Sequence, residues 1–340
     1  MYSLIRKILF LFDAETIHVF SLKMLNLANS AGLLRLFLGK RIDSPVTVMG
    51  LTFPNAVGLA AGLDKNGCYI DALANCGFGF IEVGTVTPLA QPGNDKPRLF
   101  RLPADNAIIN RMGFNNAGVG TLIANVQRSQ HPCIIGINIG KNKSTPLENA
   151  VDDYLICMQQ VYPYADYIAI NVSSPNTPGL RELQHGESLS LLLTRLKSEQ
   201  ATLERKFHRY VPLAVKIAPD LDDGEIQDIA KRLMAARIDA VIATNTSSSR
   251  PGSLRCTDIA KQAGGLSGQP VFDLSTHVLR VLVKALNGRI PVIAVGGITT
   301  VKQAQQKIEA GASLVQIYTG FVYSGPKLVN ECARLLSPRQ

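Results

Sequence analysis

Short apolar stretches alternate with longer stretches of helical periodicity from about residue 55 to the end of the chain. This alternation predicts a parallel sheet, because two parallel strands must be joined by a crossover, which is usually a helix. The apolar stretches predict strands at Ala56–Ala60, Phe80–Thr85, Ile134–Ile139, Tyr167–Asn171, Leu213–Ile217, Ala240–Thr244, Val292–Val295 and Leu314–Tyr318. Helices are predicted at Glu187–Phe207, Asp223–Ala236, Asp273–Leu286 and Thr300–Ala310. Eight strand–helix units favour a closed TIM-type (β/α)8 barrel over an open doubly wound sheet.

The length of the chain fits one barrel with a short extension. Its 340 residues could form two domains, but a β/α barrel of roughly 250–300 residues is a single unit. The first 44 residues lack the strand–helix alternation. We therefore predict an N-terminal helical segment at 1–44 and a barrel domain at 45–340.

The N-terminal segment is amphipathic. Leu4, Ile8 and Phe12 recur at helical spacing, and Asp13 is a good N-cap for a second, strongly apolar helix. A third short stretch, Leu33–Leu38, precedes Lys40 and Arg41. Two interpretations are open: the helices simply pack on the barrel, or they form an interfacial unit that lies on anionic lipid.

The net charge of +9 is compatible with nucleic acid, an anionic membrane surface or an acidic substrate as a partner. The chain has no long basic run or zinc-finger spacing, so we expect no nucleic-acid partner and no metal site. The longest apolar run near the N-terminus, Ile8 to Phe12, is too short for a transmembrane helix or a signal peptide. The six cysteines form no C-x-x-C pair, which predicts reduced thiols in a cytosolic compartment.

Polar residues and glycines follow the predicted strands. The active site of a β/α barrel lies at the carboxyl ends of its strands, so these side chains should converge on one rim. Two of the segments after strands, at Gly296-Gly297 and Thr319-Gly320, are typical of turns that bind a phosphate through backbone N–H groups. We predict a third glycine-rich loop at 264–268. The alternative is that these are tight turns without a ligand.

Lys216 ends an apolar strand, where an ammonium group is costly to bury unless an anion meets it. That anion could be the pyrimidine edge of a reduced flavin or, alternatively, a carboxylate on a neighbouring strand. Asparagines near the rim offer both donors and acceptors, which suits a cyclic imide or ureide, and Lys65 suits a substrate carboxylate. Together they predict a small anionic pyrimidine as substrate.

Four segments resemble motifs of the dihydroorotate dehydrogenase family: GLAAGLDK at 58–65, NRMGFNN at 110–116, NVSSPNTPG at 171–179 and VGGI at 295–298. The resemblance covers essentially the whole chain. With its helical N-terminus the chain is similar to the quinone-dependent, membrane-associated class 2. The soluble class carries cysteine at position 174, so Ser174 supports this assignment.

The resemblance implies a role for each matching residue. Ser174 would be the catalytic base, passing its proton onward through water or a neighbouring hydroxyl such as Thr177. The residues expected to bind FMN are Ala61, Gly62, Leu63, Asp64, Lys65, Thr85, Asn138, Asn171, Lys216, Thr244, Gly268, Gly297, Tyr318 and Thr319. Those expected to bind the substrate are Lys65, Asn110, Arg111, Met112, Gly113, Phe114, Asn171, Asn176, Asn245 and Thr246. His18, Arg101 and Tyr318 would lie near a quinone path.

The implied activity is the oxidation of (S)-dihydroorotate to orotate in de novo pyrimidine (UMP) biosynthesis. FMN would be the hydride acceptor and a membrane quinone the final electron acceptor. The resemblance also implies a peripheral membrane protein, and the missing signal peptide suggests the cytoplasmic face of a bacterial inner membrane. Three alternatives stay open: another FMN barrel oxidoreductase, a phosphate-ligand lyase or isomerase, and a non-catalytic membrane scaffold.

Overall fold

The computed structural model describes residues 2–38, 40–130 and 133–337, without the side chain of Arg35. Its strands are β1 (Val46–Val48), β2 (Leu51–Phe53), β3 (Val57–Leu59), β4 (Phe80–Val86), β5 (Leu99–Leu102), β6 (Ala107–Asn110), β7 (Ile134–Ile139), β8 (Tyr167–Asn171), β9 (Leu213–Ile217), β10 (Ala240–Ala243), β11 (Gly265–Gly268), β12 (Val292–Val295) and β13 (Leu314–Ile317). Its helices are α1 (Tyr2–Leu9), α2 (Ala14–Ser30), α3 (Leu33–Leu38), α4 (Ile70–Ala74), α5 (Val119–Arg128), α6 (Ala150–Val161), α7 (Gly186–Phe207), α8 (Asp223–Ala235), α9 (Thr257–Ala260), α10 (Phe272–Leu286), α11 (Val301–Glu309), α12 (Thr319–Ser324) and α13 (Pro326–Leu335).

Eight parallel strands close into a barrel in the order β10-β12-β13-β3-β4-β7-β8-β9. The predicted (β/α)8 barrel is therefore confirmed, with small shifts at the strand ends. The strands are buried on both faces, because side chains fill the interior and helices cover the outside. Inside, Phe80 packs against Phe53 and Tyr167, with ring centroids 5.0 and 6.4 Å apart.

The four predicted barrel helices are also confirmed. Two of them begin with a capping box. The side chain of the first residue accepts the backbone N–H of the fourth, and the side chain of the fourth residue accepts the backbone N–H of the first. In α8 the pair is Asp222 and Glu225, and in α11 it is Thr300 and Gln303. These local signals explain why the starts of both helices could be read from the sequence.

Two small antiparallel sheets are added to the barrel: β1 pairs with β2, and β11, β6 and β5 form a three-stranded sheet. The prediction of a loop at 264–268 is wrong for most of that segment. Gly265–Gly268 is strand β11, and it pairs with Ala107–Asn110. A glycine-rich segment can join a sheet when a partner strand supplies its hydrogen bonds, and here that partner lies more than 150 residues away.

The N-terminal helices dock on the barrel through Leu22, which belongs to the main hydrophobic core, and through several polar contacts. Asp13 caps α2 as predicted, accepting the Thr16 N–H at 2.8 Å. Glu15 pairs with Arg98 at 2.8 Å, and Arg101 donates to the carbonyl oxygens of Leu9 and Phe12. Within the described ranges no helix is long and apolar enough to cross a membrane.

Candidate active site

A cleft of about 1090 Å³ lies at the carboxyl ends of the barrel strands, beside the β5-β6-β11 sheet. We call it the rim cleft. It is lined by Ser174 and by most residues predicted to bind cofactor or substrate: Ala61, Gly62, Lys65, Thr85, Asn110, Met112, Gly113, Phe114, Asn171, Asn176, Lys216, Thr244, Asn245, Thr246, Gly268, Gly297, Tyr318 and Thr319. The structure thus brings residues from seven of the eight barrel strands, or from the segments that follow them, to one site.

Four predicted residues do not line the rim cleft. Asp64 accepts the backbone N–H groups of Cys68 and Tyr69, and its pKa is raised because burial disfavours the carboxylate. Asn138 lies behind Thr85, and Leu63 lines a different cavity. Arg111 stacks on the Phe100 ring instead, 4.6 Å from its centroid. Their predicted contacts with FMN or substrate gain no support from this placement.

The floor of the rim cleft contains a buried ion pair. Lys216 Nζ lies 3.6 Å from Glu82 Oε1, and both side chains are almost fully buried. Glu82 also accepts hydrogen bonds from Asn138, Tyr167 and Gln316, at 2.8, 2.9 and 2.6 Å. Of the two interpretations of Lys216, the structure supports a carboxylate partner, but that carboxylate is on β4, across the barrel from β9, and not on a neighbouring strand. Since Lys216 also lines the cleft, it remains close to any ligand there.

Amide and hydroxyl groups are linked along one wall of the cleft. Asn245 Nδ2 donates to Asn171 Oδ1 at 3.2 Å, and Asn171 Nδ2 donates to Thr85 Oγ1 at 2.8 Å. Each donated hydrogen fixes which end of an amide is the oxygen and which the nitrogen. The chain of bonds therefore presents donors and acceptors in a preset orientation.

Ser174 lies in the loop after β8 and is only 7% exposed. Its Oγ accepts the Asn176 N–H at 3.2 Å, and Asn176 Nδ2 donates to Asn110 Oδ1 at 3.2 Å. The hydroxyl is therefore held beside two asparagines that line the same cleft. Thr177 is buried nearby.

Lys65 is the second lysine of the rim cleft. Its Nζ donates to Gly62 O at 2.9 Å. Burial lowers the pKa of Lys65 to about 8, which the nearby Glu15 carboxylate only partly offsets. A bound anion would favour the charged ammonium, so Lys65 is suited to a carboxylate or phosphate ligand.

Two observations test whether a phosphate-bearing cofactor with a polar ring fits here. Gly297 and Gly268 line the cleft with φ angles of +79° and +94°, and a Cβ on either would lie 2.3 Å from a backbone atom of a neighbouring segment, so both positions require glycine and present backbone without a side chain. Gln316 lines the cleft, and its buried Oε1 has no hydrogen-bond partner among the described residues. A ring N–H of a ligand would satisfy this acceptor. Both features fit a flavin nucleotide.

A second cavity, of about 710 Å³, lies between the N-terminal helices and the barrel. We call it the helical cavity. His18, Arg101 and Tyr318, the three residues predicted for a quinone path, all line it. His18 Nε2 donates to Leu63 O at 3.1 Å. Burial, with the nearby Lys65 charge, lowers the pKa of His18 to about 4, so the imidazole is neutral near pH 7.

The two cavities share a wall. Leu99, Ile108 and Tyr318 line both the rim cleft and the helical cavity. Leu99 and Ile108 were missed in the sequence because they belong to β5 and β6, which carry no strand–helix signal. Glu82 was also missed, although a lone glutamate in an apolar strand could have been matched with Lys216.

The fold and the rim cleft define a β/α-barrel protein with a polar cleft at the carboxyl ends of its strands. The family model for dihydroorotate dehydrogenase matches residues 44–338. The chain therefore belongs to the dihydroorotate dehydrogenase family, whose members are flavin-dependent oxidoreductases.

Individual relatives agree with this assignment. A dihydroorotate dehydrogenase (quinone) of Idiomarina loihiensis is 58% identical over 329 residues, which cover 97% of this chain and 98% of the relative. One from Cellvibrio japonicus is 57% identical over 333 residues, covering 98% and 97%. The crystal structure of a DHODH from Eimeria tenella in complex with ferulenol has a TM-score of 0.85 at 41% identity, covering 93% of this chain and 89% of that one.

Proposed function

We propose that this chain oxidises (S)-dihydroorotate to orotate in de novo pyrimidine biosynthesis, with FMN as cofactor and a membrane quinone as the final acceptor. The observation that carries the proposal is the shared wall: one cavity equipped for a polar ring meets a second, largely apolar cavity at Leu99, Ile108 and Tyr318. Two substrates of opposite polarity can thus approach one cofactor from different sides. The names of the relatives, dihydroorotate dehydrogenase (quinone), support the same pair of substrates.

Residues of the rim cleft would hold FMN. The backbone at Gly268, Gly297 and Thr319 suits the phosphate, while Lys216 and Gln316 suit the ring. When bound, FMN would supply the hydride-accepting group. The Lys216 ammonium would stabilise negative charge that appears on the ring.

Ser174 and the asparagines would act on the substrate. Lys65 would bind the carboxylate, and Asn110, Asn171 and Asn245 would bind the polar edges of the ring. Ser174 would take the proton from C5, which is acidified by the neighbouring carbonyl as amide donors stabilise the developing oxyanion. Because a serine hydroxyl is a weak base, it must pass the proton onward; Thr177 is a candidate acceptor.

The helical segment, residues 1–44, would bring the quinone to the barrel domain, residues 45–340. Leu4, Leu11, Leu36 and Phe37 expose 65%, 82%, 76% and 70% of their surface, while other residues of α1 and α2 line the helical cavity. A segment that is apolar both inside and outside suits a lipid surface better than water. We therefore propose a peripheral membrane protein, at the cytoplasmic face of a bacterial inner membrane.

Two rival activities are less well supported. A hydroxy-acid oxidase requires a histidine–arginine pair, but among the described residues neither type lines the rim cleft, whose charged side chains are Lys65 and Lys216. A lyase or isomerase would use the phosphate site but would have no need of the helical cavity. It would also give a colourless protein.

An anaerobic absorbance titration tests the proposal. Dihydroorotate should bleach the flavin spectrum of the purified protein, and a ubiquinone analogue should restore it, while fumarate and NAD should not. Recovery with fumarate or NAD alone would contradict the quinone assignment. A protein that stays colourless after FMN is added would contradict the flavin-dependent activity itself.

A further inference from the structure

Arg181 connects three loops at the rim of the barrel without lining the rim cleft. It lies in the 3-10 turn Leu180–Gln184, which follows the loop that carries Ser174. Its Nε donates to Ser173 O at 3.2 Å, and its Nη2 donates to Thr246 O at 3.0 Å. Its Nη1 contacts the Asp220 carboxylate at 2.9 Å.

Both carbonyl groups belong to neighbours of proposed active-site residues. Ser173 precedes Ser174, and Thr246 lines the rim cleft together with Asn245. Across the same junction, Asn245 Nδ2 donates to Ser173 Oγ at 3.0 Å. The Arg181 guanidinium therefore ties the loop after β8 to the loop after β10.

Asp220, in the loop after β9, anchors this guanidinium. It accepts the Ser248 N–H at 2.9 Å and the Ser249 hydroxyl at 3.0 Å, and it also accepts the Ser247 hydroxyl. Burial alone would raise the pKa of Asp220, but these hydrogen bonds and Arg181 outweigh burial and lower it. The anchor is thus a carboxylate near neutral pH.

We propose that Arg181 is a positioning residue for the half-reaction with dihydroorotate. It holds the Ser174 loop against the Asn245–Thr246 loop, so that the base and the ring-binding amides face one substrate in a fixed relation. The inference rests on the proposed function. It assigns Arg181 no contact with substrate or cofactor.

The shape of arginine explains why this residue type is needed. A guanidinium presents several N–H donors in one rigid plane, and here they point at once to three acceptors in three loops, with the Ser248 hydroxyl oxygen as a further acceptor 3.3 Å from Nη1. A lysine ammonium is a point charge on a flexible stem and cannot hold all three in one geometry. Misplacement of a reacting group by about 1 Å can slow a reaction roughly 10²-fold.

The test compares Arg181→Gln with Arg209→Gln in the flavin-loaded protein. Arg209 is a matched control because it also joins a loop carbonyl, Pro163 O at 3.3 Å, to a carboxylate, Asp166 at 3.3 Å. Arg209 lies just before the start of β9 and Asp166 just before the start of β8, so this contact is at the end of the barrel opposite Ser174. Stopped-flow absorbance measures flavin reduction at saturating dihydroorotate, and then reoxidation by a short-tailed quinone.

We expect R181Q to reduce its flavin about 10²-fold more slowly than the wild type. Flavin content and reoxidation by quinone should be unchanged, and R209Q should match the wild type in both half-reactions. Added guanidinium should restore part of the lost rate in Arg181→Ala. If R181Q is recovered without flavin, Arg181→Lys decides: a rate at least about tenfold below the wild type supports the proposal, and the wild-type rate overturns it.

Two results separate this inference from the proposed function. If dihydroorotate bleaches the flavin of the wild type normally and reduces R181Q as fast as R209Q, the role of Arg181 alone is overturned. A wild-type flavoprotein that dihydroorotate does not bleach overturns the proposed function, and the role of Arg181 with it.

Discussion

The rim cleft and the N-terminal helices differ in what each leaves unburied. At the rim, buried groups such as Glu82, Asn171 and Lys216 bind one another in a continuous network. The helices are held by polar contacts such as Glu15 with Arg98 and by Leu22, which packs in the barrel's core, but they also leave leucines and phenylalanines exposed. Buried polar networks are rigid because any displacement leaves a group unsatisfied, whereas an exposed apolar surface is free to meet another phase.

This difference suggests a division of labour between chemistry and access. Proton and hydride transfer need reacting groups held in place to within a fraction of an ångström. A long-tailed quinone needs an apolar entrance, and the residues of that entrance do not have to be positioned as precisely. Substitutions at the rim should therefore act on flavin reduction or stability, and substitutions on the helices on membrane binding and reoxidation.

The largest expected effect is that of Ser174→Ala. Loss of a general base typically costs about 10²–10⁴-fold in rate. We expect flavin reduction by dihydroorotate to slow by such a factor, with FMN still bound and reoxidation by quinone intact. Single-turnover bleaching under anaerobic conditions measures it, and bleaching at the wild-type rate would contradict the role of Ser174.

Lys216→Met should destabilise the barrel by about 3–5 kcal/mol, because it leaves the Glu82 carboxylate buried without its counter-charge. The free energy of unfolding in urea measures the loss. The double variant Glu82→Gln, Lys216→Met is the control, since it removes both charges and should recover part of the stability. No recovery in the double variant would mean that the ion pair is not the cause.

His18 should make the stability depend on pH. Its pKa is about 4 in the folded protein, because burial and the Lys65 charge disfavour the imidazolium, but about 6.5 in the unfolded chain. Between these values the unfolded chain binds more protons, so stability should fall by up to about 3 kcal/mol as the pH drops from 6.5 to 4. Urea unfolding at several pH values measures this, and His18→Gln should show a smaller fall. An equal fall in both proteins would exclude His18.

The smallest effect is expected from Leu36→Gln combined with Phe37→Gln. The two side chains are 76% and 70% exposed, and full burial of a large apolar side chain is worth about 1.5–3 kcal/mol. Partial burial in lipid predicts a decrease of about tenfold in binding to anionic vesicles, measured by sedimentation, with dihydroorotate bleaching unchanged. Leu191→Gln, on α7, is the control, because Leu191 is 59% exposed but lies outside the N-terminal helices. Unchanged binding of the double variant would exclude this surface as the lipid contact.

Much of the barrel was predictable because its signals are local. Each barrel strand is a short apolar run. Helix α8, for example, begins at Asp222, only three residues before its capping partner Glu225. The β5-β6-β11 sheet could not be predicted this way, because Ala107 pairs with Gly268 across more than 150 residues and neither strand has a distinctive pattern. For the same reason, the sequence did not predict Leu99 and Ile108, which complete the wall between the cavities.

The same difference between local and long-range signals applies to the candidate site. The sequence alone determined the barrel, its rim of asparagines, lysines and glycines, and the apolar N-terminal helices, because residue type and spacing carry that information. Only the tertiary structure decided that Lys216 pairs with Glu82, that Arg111 turns away to Phe100, and that Arg181 joins the loops around Ser174. The physical reason is that burial and hydrogen-bond pairing belong to atoms brought together from distant parts of the chain, so they exist only once the barrel has closed.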